Sequence, residues 1–218
     1  MGKLVYGVDV YHGSGDIDWA AVYERGARFA IAKATQGIDF VDSRLHEYIA
    51  GARAAGLYAG AYCFIRQHES WADQAAKLVK TVGNWSGLLV PVLDLEDLEG
   101  EPWTLTRDET VDKALAFIEQ IKSMLGRGCL VYTYPSFISE HLTGATNAKK
   151  LAGYPLWIAS TPKSKSPEGN EPNIPGVWSD WAMWQYRPDG TWPGIDTPGD
   201  TDLNVVRWEA VLKQFRVK

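Results

Sequence analysis

Eight short apolar runs, separated in the first part of the chain by helical stretches, limit what this sequence can fold into more than any other feature. They are Leu4–Val10, Arg28–Ala34, Tyr58–Phe64, Leu88–Asp94, Leu130–Thr133, Leu156–Ala159, Ala182–Tyr186 and Asp202–Val206. Runs of this kind read as strands buried on both faces, and such strands belong to parallel sheets covered by helices. Helical patterns fill the first five gaps: Trp19–Arg25, Ser43–Ala55, Trp71–Val82, Arg107–Leu125 and a broken stretch from Ser136 to Leu151. Later, Ser164–Gly176 and Arg187–Thr201 are rich in Pro, Gly, Asp and Asn and read as loops, before a last helix at Arg207–Phe215. The pattern predicts an α/β barrel related to the TIM form but incomplete on one side. In such barrels the active site lies at the carboxyl ends of the strands.

The 218 residues are 45% hydrophobic and 22% charged, enough for one substantial core, and no Pro/Ser/Gly-rich linker divides them. A single domain is expected. The net charge is −5 and the basic residues are scattered, so no nucleic-acid partner is expected. No apolar run approaches the ~20 residues that cross a bilayer, so no membrane partner is expected either. The start, Met1-Gly2-Lys3-Leu4-Val5-Tyr6, lacks the apolar core of a secretory signal. Cys63 and Cys129 sit inside apolar runs and are expected to be reduced core residues.

Asp9 lies near the end of the first run, in Gly7-Val8-Asp9-Val10, and Asp94 and Glu96 close the fourth, in Val92-Leu93-Asp94-Leu95-Glu96. An acid at the end of an apolar run is costly to place in a barrel wall unless it faces a polar mouth. Strand alternation puts Asp94 and Glu96 on one face, ~6.7 Å apart at the backbone. Two like charges at ~6 Å and an effective dielectric near 20 repel by roughly 3 kcal/mol, about two pK units. One of the pair should therefore hold a proton near neutrality. Hydrolysis of a glycosidic bond needs such a pair, one carboxyl protonated and one ionised. The longer Glu96 is assigned as the acid and Asp94 as its ionised partner. A D-x-E at a strand end can equally cap the following loop. Asp202, in Thr201-Asp202-Leu203-Asn204, is a fourth candidate that could also be a turn aspartate.

Taken together, seven segments in order resemble the glycoside hydrolase family 25 lysozymes, the Chalaropsis-type N-acetylmuramidases found among phage endolysins and bacterial lysozymes. They are Gly7-Val8-Asp9-Val10 with Ile17-Asp18-Trp19, Ala32-Lys33-Ala34-Thr35-Gln36-Gly37, Ala54–Tyr62, Leu93-Asp94-Leu95-Glu96, Pro155-Leu156-Trp157-Ile158-Ala159, Trp184-Gln185-Tyr186 and Asp202-Leu203-Asn204. The resemblance implies an incomplete (β/α)5(β)3 barrel over residues 1–218, with no separate wall-binding domain expected. It implies catalytic acids at Asp9, Asp94, Glu96 and Asp202, with Lys33 in the cleft, and no metal or other cofactor. It further implies cleavage of the β-1,4 bond between N-acetylmuramic acid and N-acetylglucosamine in bacterial peptidoglycan, with attack by the substrate's own acetamido oxygen. Two departures touch the cleft wall. Tyr62-Cys63-Phe64 stands where the family often has His, and Ser160-Thr161-Pro162 where a Tyr is common.

Ten Trp and ten Tyr suit a sugar-lined cleft, although most aromatics in a barrel are core. Those at carboxyl strand ends, Tyr62, Tyr132, Trp157 and Trp184, are the expected sugar contacts. Three rivals remain: a metal-dependent hydrolase using His12, His68, Asp9 and Asp94, which lacks the paired-His spacing of such sites, a catalytically weak glycan-binding barrel, and a phage tail-associated lysozyme. The expected partner is peptidoglycan and the expected state a monomer. Without a signal, the protein is expected to be phage-encoded and released from the host cytoplasm, or a mature secreted form.

Overall fold

In the computed structural model, which describes residues 4–98, 100–197, 199–207 and 209–218, the apolar runs become strands in the expected order. β1 (Val5–Val10) is followed by α1 (Trp19–Glu24), β2 (Ala27–Gln36), a two-residue β3 (Phe40–Val41), α2 (Leu45–Ala54), β4 (Tyr58–Phe64), α3 (Trp71–Val82), β5 (Val92–Asp94), α4 (Arg107–Leu125) and β6 (Leu130–Thr133). The broken stretch is a short α5 (Pro135–Phe137) running into a π-helical turn (Ile138–Leu142), then α6 (Ala148–Leu151). β7 (Leu156–Ala159), β8 (Met183–Gly190) and β9 (Thr201–Val206) follow with no helix between them among the described residues, and α7 (Glu209–Gln214) comes last. Met1–Lys3 and Trp208, which carry part of the amino-terminal and last-helix readings, lie outside the described residues.

Strands β1, β2, β4, β5, β6, β7 and β8 are each parallel to the next, and β9 joins β8 to β1 to close an eight-stranded barrel. The expectation of a parallel sheet holds around the barrel from β1 to β8 and is corrected at β9, which is antiparallel to both neighbours. A parallel return needs a crossover of about a dozen residues or more, usually a helix, and the short connection after Gly190 can only turn the chain back. Part of the loop read at Arg187–Thr201 is accordingly strand, since β8 runs on to Gly190.

The fourth run also divides. Pro91 lacks an N–H, and only Val92–Asp94 joins the barrel ladder. Leu88 and Val90 pair instead with the last residues of the chain, Val217 N donating to Leu88 O at 2.7 Å and Val90 N to Phe215 O at 2.6 Å. β3, which the apolar runs did not announce, folds back antiparallel on the end of β2.

Helix ends follow local chemistry. The Ser70 hydroxyl caps α3, whose Trp71, Ala75, Leu78, Val79 and Val82 form the buried stripe. Thr106 and Glu109 make a reciprocal capping box on α4, and Gly126, at φ 66°, ends it in the left-handed conformation. Inside the barrel, glycines make room for large neighbours. A Cβ on Gly7 would lie 2.5 Å from the Phe29 ring, and one on Gly60 2.9 Å from Ile31 Cδ1.

Because β5 lies between β4 and β6, Cys63 and Cys129 are two strand spacings apart, ~9.6 Å, beyond the ~7 Å Cα limit for a disulfide. Both are buried and free. A thiol titration of the denatured protein without reductant should count two thiols, whereas a count of zero would contradict this strand order.

Candidate active site

A cavity of about 240 Å³ opens at the carboxyl ends of the parallel strands. Asp9 enters it from β1, Tyr62 from β4, Asp94 from the end of β5, Tyr132 from β6, Trp157 from β7, Gln185 and Pro188 from β8, and Asp202 from β9. Glu96 reaches it from two residues past β5. The chain there stays in ladder geometry, with Ile65 N donating to Asp94 O at 3.2 Å and Leu95 N to Tyr132 O at 2.9 Å. Leu95 is fully buried on the opposite side, so Asp94 and Glu96 look into the same space.

Asp9 and Asp202 stand directly opposite each other in the β1–β9 ladder. Asp9 Oδ1 accepts from Asn204 Nδ2 at 2.6 Å and from Gln185 Nε2 at 3.1 Å. Behind these amides, the Trp157 indole donates to Asn204 Oδ1 at 2.9 Å and the Tyr132 hydroxyl to Gln185 Oε1 at 2.9 Å. Asp94 Oδ1 is buried and finds no hydrogen-bond partner among the described residues.

Four carboxyl groups around one cavity cannot all ionise at neutrality. Burial, then the neighbouring Asp9 charge, lifts Glu96 to about 7. Burial and the charge of Asp9 lift Asp202 to about 10. Asp9 is the more deeply buried of its pair, yet it rises only to about 6, because the Asn204 and Gln185 amides stabilise its anion. Burial and the Glu96 charge push Asp94 well above the usual carboxylate range, against the pull of Lys33. Burial and the Glu96 charge thus favour the protonated form of Asp94, the opposite sense to the ionised Asp94 expected from sequence. Burial keeps Tyr62 and Tyr132 neutral phenols.

The fold brings together Asp9, Asp94, Glu96, Asp202, Tyr62, Tyr132 and Trp157. Two expected contacts stand elsewhere. Lys33 is not among the side chains that line the cavity: its Nζ bonds Gln36 Oε1 at 2.8 Å and lies 5.0 Å from the centre of the Phe64 ring, and it acts on Asp94 and Glu96 through its charge. Trp184 faces away, donating to Ser160 O at 2.7 Å and packing edge-on against Trp181, because alternation on β8 gives the cavity to Gln185. Nor do His12 and His68 gather around Asp9 and Asp94, since His12 Nδ1 sits 2.9 Å from Asp42. Among the described residues no group of three His, Cys, Asp or Glu could hold a metal ion.

Gln185 and Asn204 are the site residues that sequence reasoning passed over. A signal existed for both: Asn204 shares a strand face with Asp202, and a glutamine inside the run Met183-Trp184-Gln185-Tyr186 must find buried partners.

Comparison with known proteins agrees with this fold. The model of the family described as glycosyl hydrolases family 25 matches residues 8–195. Lysozyme M1 of Streptomyces globisporus is 30% identical over 206 residues, covering 92% of this chain and 67% of its own. The N,O-diacetylmuramidase of Chalaropsis sp is 33% identical over 190 residues, covering 83% of this chain and 87% of its own. The crystal structure of a bacterial lysozyme from Streptomyces coelicolor superposes with a TM-score of 0.85 at 29% identity, covering 97% of this chain and 96% of the other.

Proposed function

The chain belongs to glycosyl hydrolase family 25 and is a lysozyme-type hydrolase of bacterial cell-wall peptidoglycan, and from that premise we propose that Glu96 and Asp94 divide the chemistry of bond cleavage between them. The observation that carries the proposal is the pair itself: two carboxyls, two residues apart, facing one cavity, with Glu96 held protonatable near neutrality.

Glu96 is the less buried of the two and stands nearer the mouth, where a glycosidic oxygen arrives. It gives its proton to that oxygen as the bond to the anomeric carbon breaks. The acetamido oxygen of the N-acetylmuramic acid ring forms the new bond to the same carbon. Asp94, through its unpartnered Oδ1, accepts the acetamido N–H, orients that group and stabilises the positive charge it gains. That hydrogen bond favours ionised Asp94, so substrate moves the shared proton to Glu96. Water then attacks the anomeric carbon, breaking its bond to the acetamido oxygen, and gives a proton to Glu96. Tyr62, the most exposed of the cavity aromatics, offers a face to a sugar ring.

Digestion of purified peptidoglycan, borohydride reduction and mass spectrometry of the fragments test the assignment. Muramitol ends are the expected product. Glucosaminitol ends would place the cut on the other side of the muramic acid and refute the proposal.

A further inference from the structure

We propose that Asn204 is a positioning residue: locked in one amide orientation by the Trp157 indole, it keeps the negative charge of the Asp9–Asp202 pair on Asp9 and the proton on Asp202.

The argument starts from a group that can only donate. An indole N–H has no acceptor role, so the Asn204 atom 2.9 Å from Trp157 Nε1 must be the amide oxygen. The amide nitrogen therefore points the other way. It meets Asp9 Oδ1 at 2.6 Å, and the Asp202 carbonyl oxygen at 3.3 Å accepts as well. An NH2 group can only donate, so Asp9 Oδ1 must accept. Gln185 Nε2 donates to the same oxygen, with Tyr132 behind it. Tyr132 can reverse its hydrogen bond, whereas Trp157 cannot, and this makes Asn204 the firmer of the two locks. Two donors on one oxygen favour the carboxylate form of Asp9. Asp202, facing it across the ladder, has neither amide, and its hydroxyl form completes the pair by donating to Asp9. Burial alone would have chosen the opposite arrangement, since Asp9 is the deeper residue.

The placement matters because of what faces Asp9. Asp94 and Glu96 approach from the end of β5, Asp202 from β9 and the phenols of Tyr62 and Tyr132 from β4 and β6, while Lys33 on β2 opposes the acids. Asp9 is the foremost charge acting on Glu96, which also feels Asp97 and, in the other sense, Lys33. A fixed anion at Asp9 keeps Glu96 protonated. This second link rests on Glu96 being the proton donor, and the placement of charge on Asp9 does not.

Carbon-13 NMR of protein labelled at the aspartate carboxyl carbons separates the two, with Asp9→Asn and Asp202→Asn supplying assignments. The Asp9 carbon should ionise in the mildly acid range while Asp202 stays protonated beyond neutrality. In Asn204→Leu the Asp9 ionisation should move up by about one pH unit or more, and the alkaline limb of kcat/KM should move down as Glu96 loses the opposing charge. Trp157→Phe, which frees the amide to flip, should shift both in the same directions. Ionisation of Asp202 before Asp9 in the unmodified protein would overturn the proposal even if Asn204→Leu fails to fold. Shifted carbon titrations with an unmoved alkaline limb would uphold the charge placement and refute Glu96 as the acid.

Discussion

Glu96→Gln should lower turnover on peptidoglycan by about 10² to 10⁴, the contribution typical of general acid catalysis. The glutamine keeps the shape of the side chain and removes only its proton. On a substrate whose leaving group departs without protonation, such as an activated aryl glycoside that the enzyme accepts, the loss should be much smaller. Stability separates this result from misfolding. Burial lifts the Glu96 carboxyl to about 7 in the folded protein, above its value in the unfolded chain. The native state therefore binds this proton more tightly. The resulting stability is fully present below the unfolded value and is lost as pH rises through 7. Glu96→Gln has nothing to ionise, so its melting temperature relative to the unmodified protein should improve from pH 5 to pH 8. Equal losses on both substrates, or a variant that weakens further as pH rises, would remove Glu96 from the donor role.

Asp94→Asn should cost about as much on peptidoglycan, within the same roughly 10² to 10⁴ range, but for a different reason. It removes the anion that orients and stabilises the acetamido group, which every substrate of this mechanism needs. The activated substrate should therefore suffer as well. In the substrate complex, where Asp94 is ionised, loss of its charge should also lower the Glu96 pKa and bring the alkaline limb of kcat to lower pH. If Asp94→Asn spares the activated substrate while Glu96→Gln does not, the two roles are reversed.

Much of this was legible in the order of residues. The eight runs, the helices between the early ones and the acids at their carboxyl ends depend on local periodicity and on the cost of an acid in an apolar wall, both of which a single segment reveals. What escaped depends on partners remote in sequence. The antiparallel turn of β9 follows from a connection too short to cross the sheet. Leu88 and Val90 leave the barrel ladder because the last residues of the chain offer them partners and Pro91 offers no N–H. The inward residue of β8 is Gln185 and not Trp184, a matter of strand phase that an aromatic-rich run conceals. The proton distribution among Asp9, Asp94, Glu96 and Asp202 was the least legible, since it is decided by burial and by Asn204, whose contact with Asp9 spans 195 positions.

The seam between β1 and β9 also carries a consequence for how the molecule acquires activity. Asp94 and Glu96 belong to a segment whose strand neighbours, β4 and β6, are also its neighbours in strand sequence. Asp9 and its amide donors meet only where the two ends of the strand order join, a closure that costs more loop entropy than pairing strands adjacent in sequence. The charge pair beside Asp94 and Glu96 therefore exists only where the first and last strands of the barrel are paired. Any change that loosens this seam separates Asp9 from its amide donors while leaving Asp94 and Glu96 on their own strand, so activity depends on the seam more steeply than the fold does.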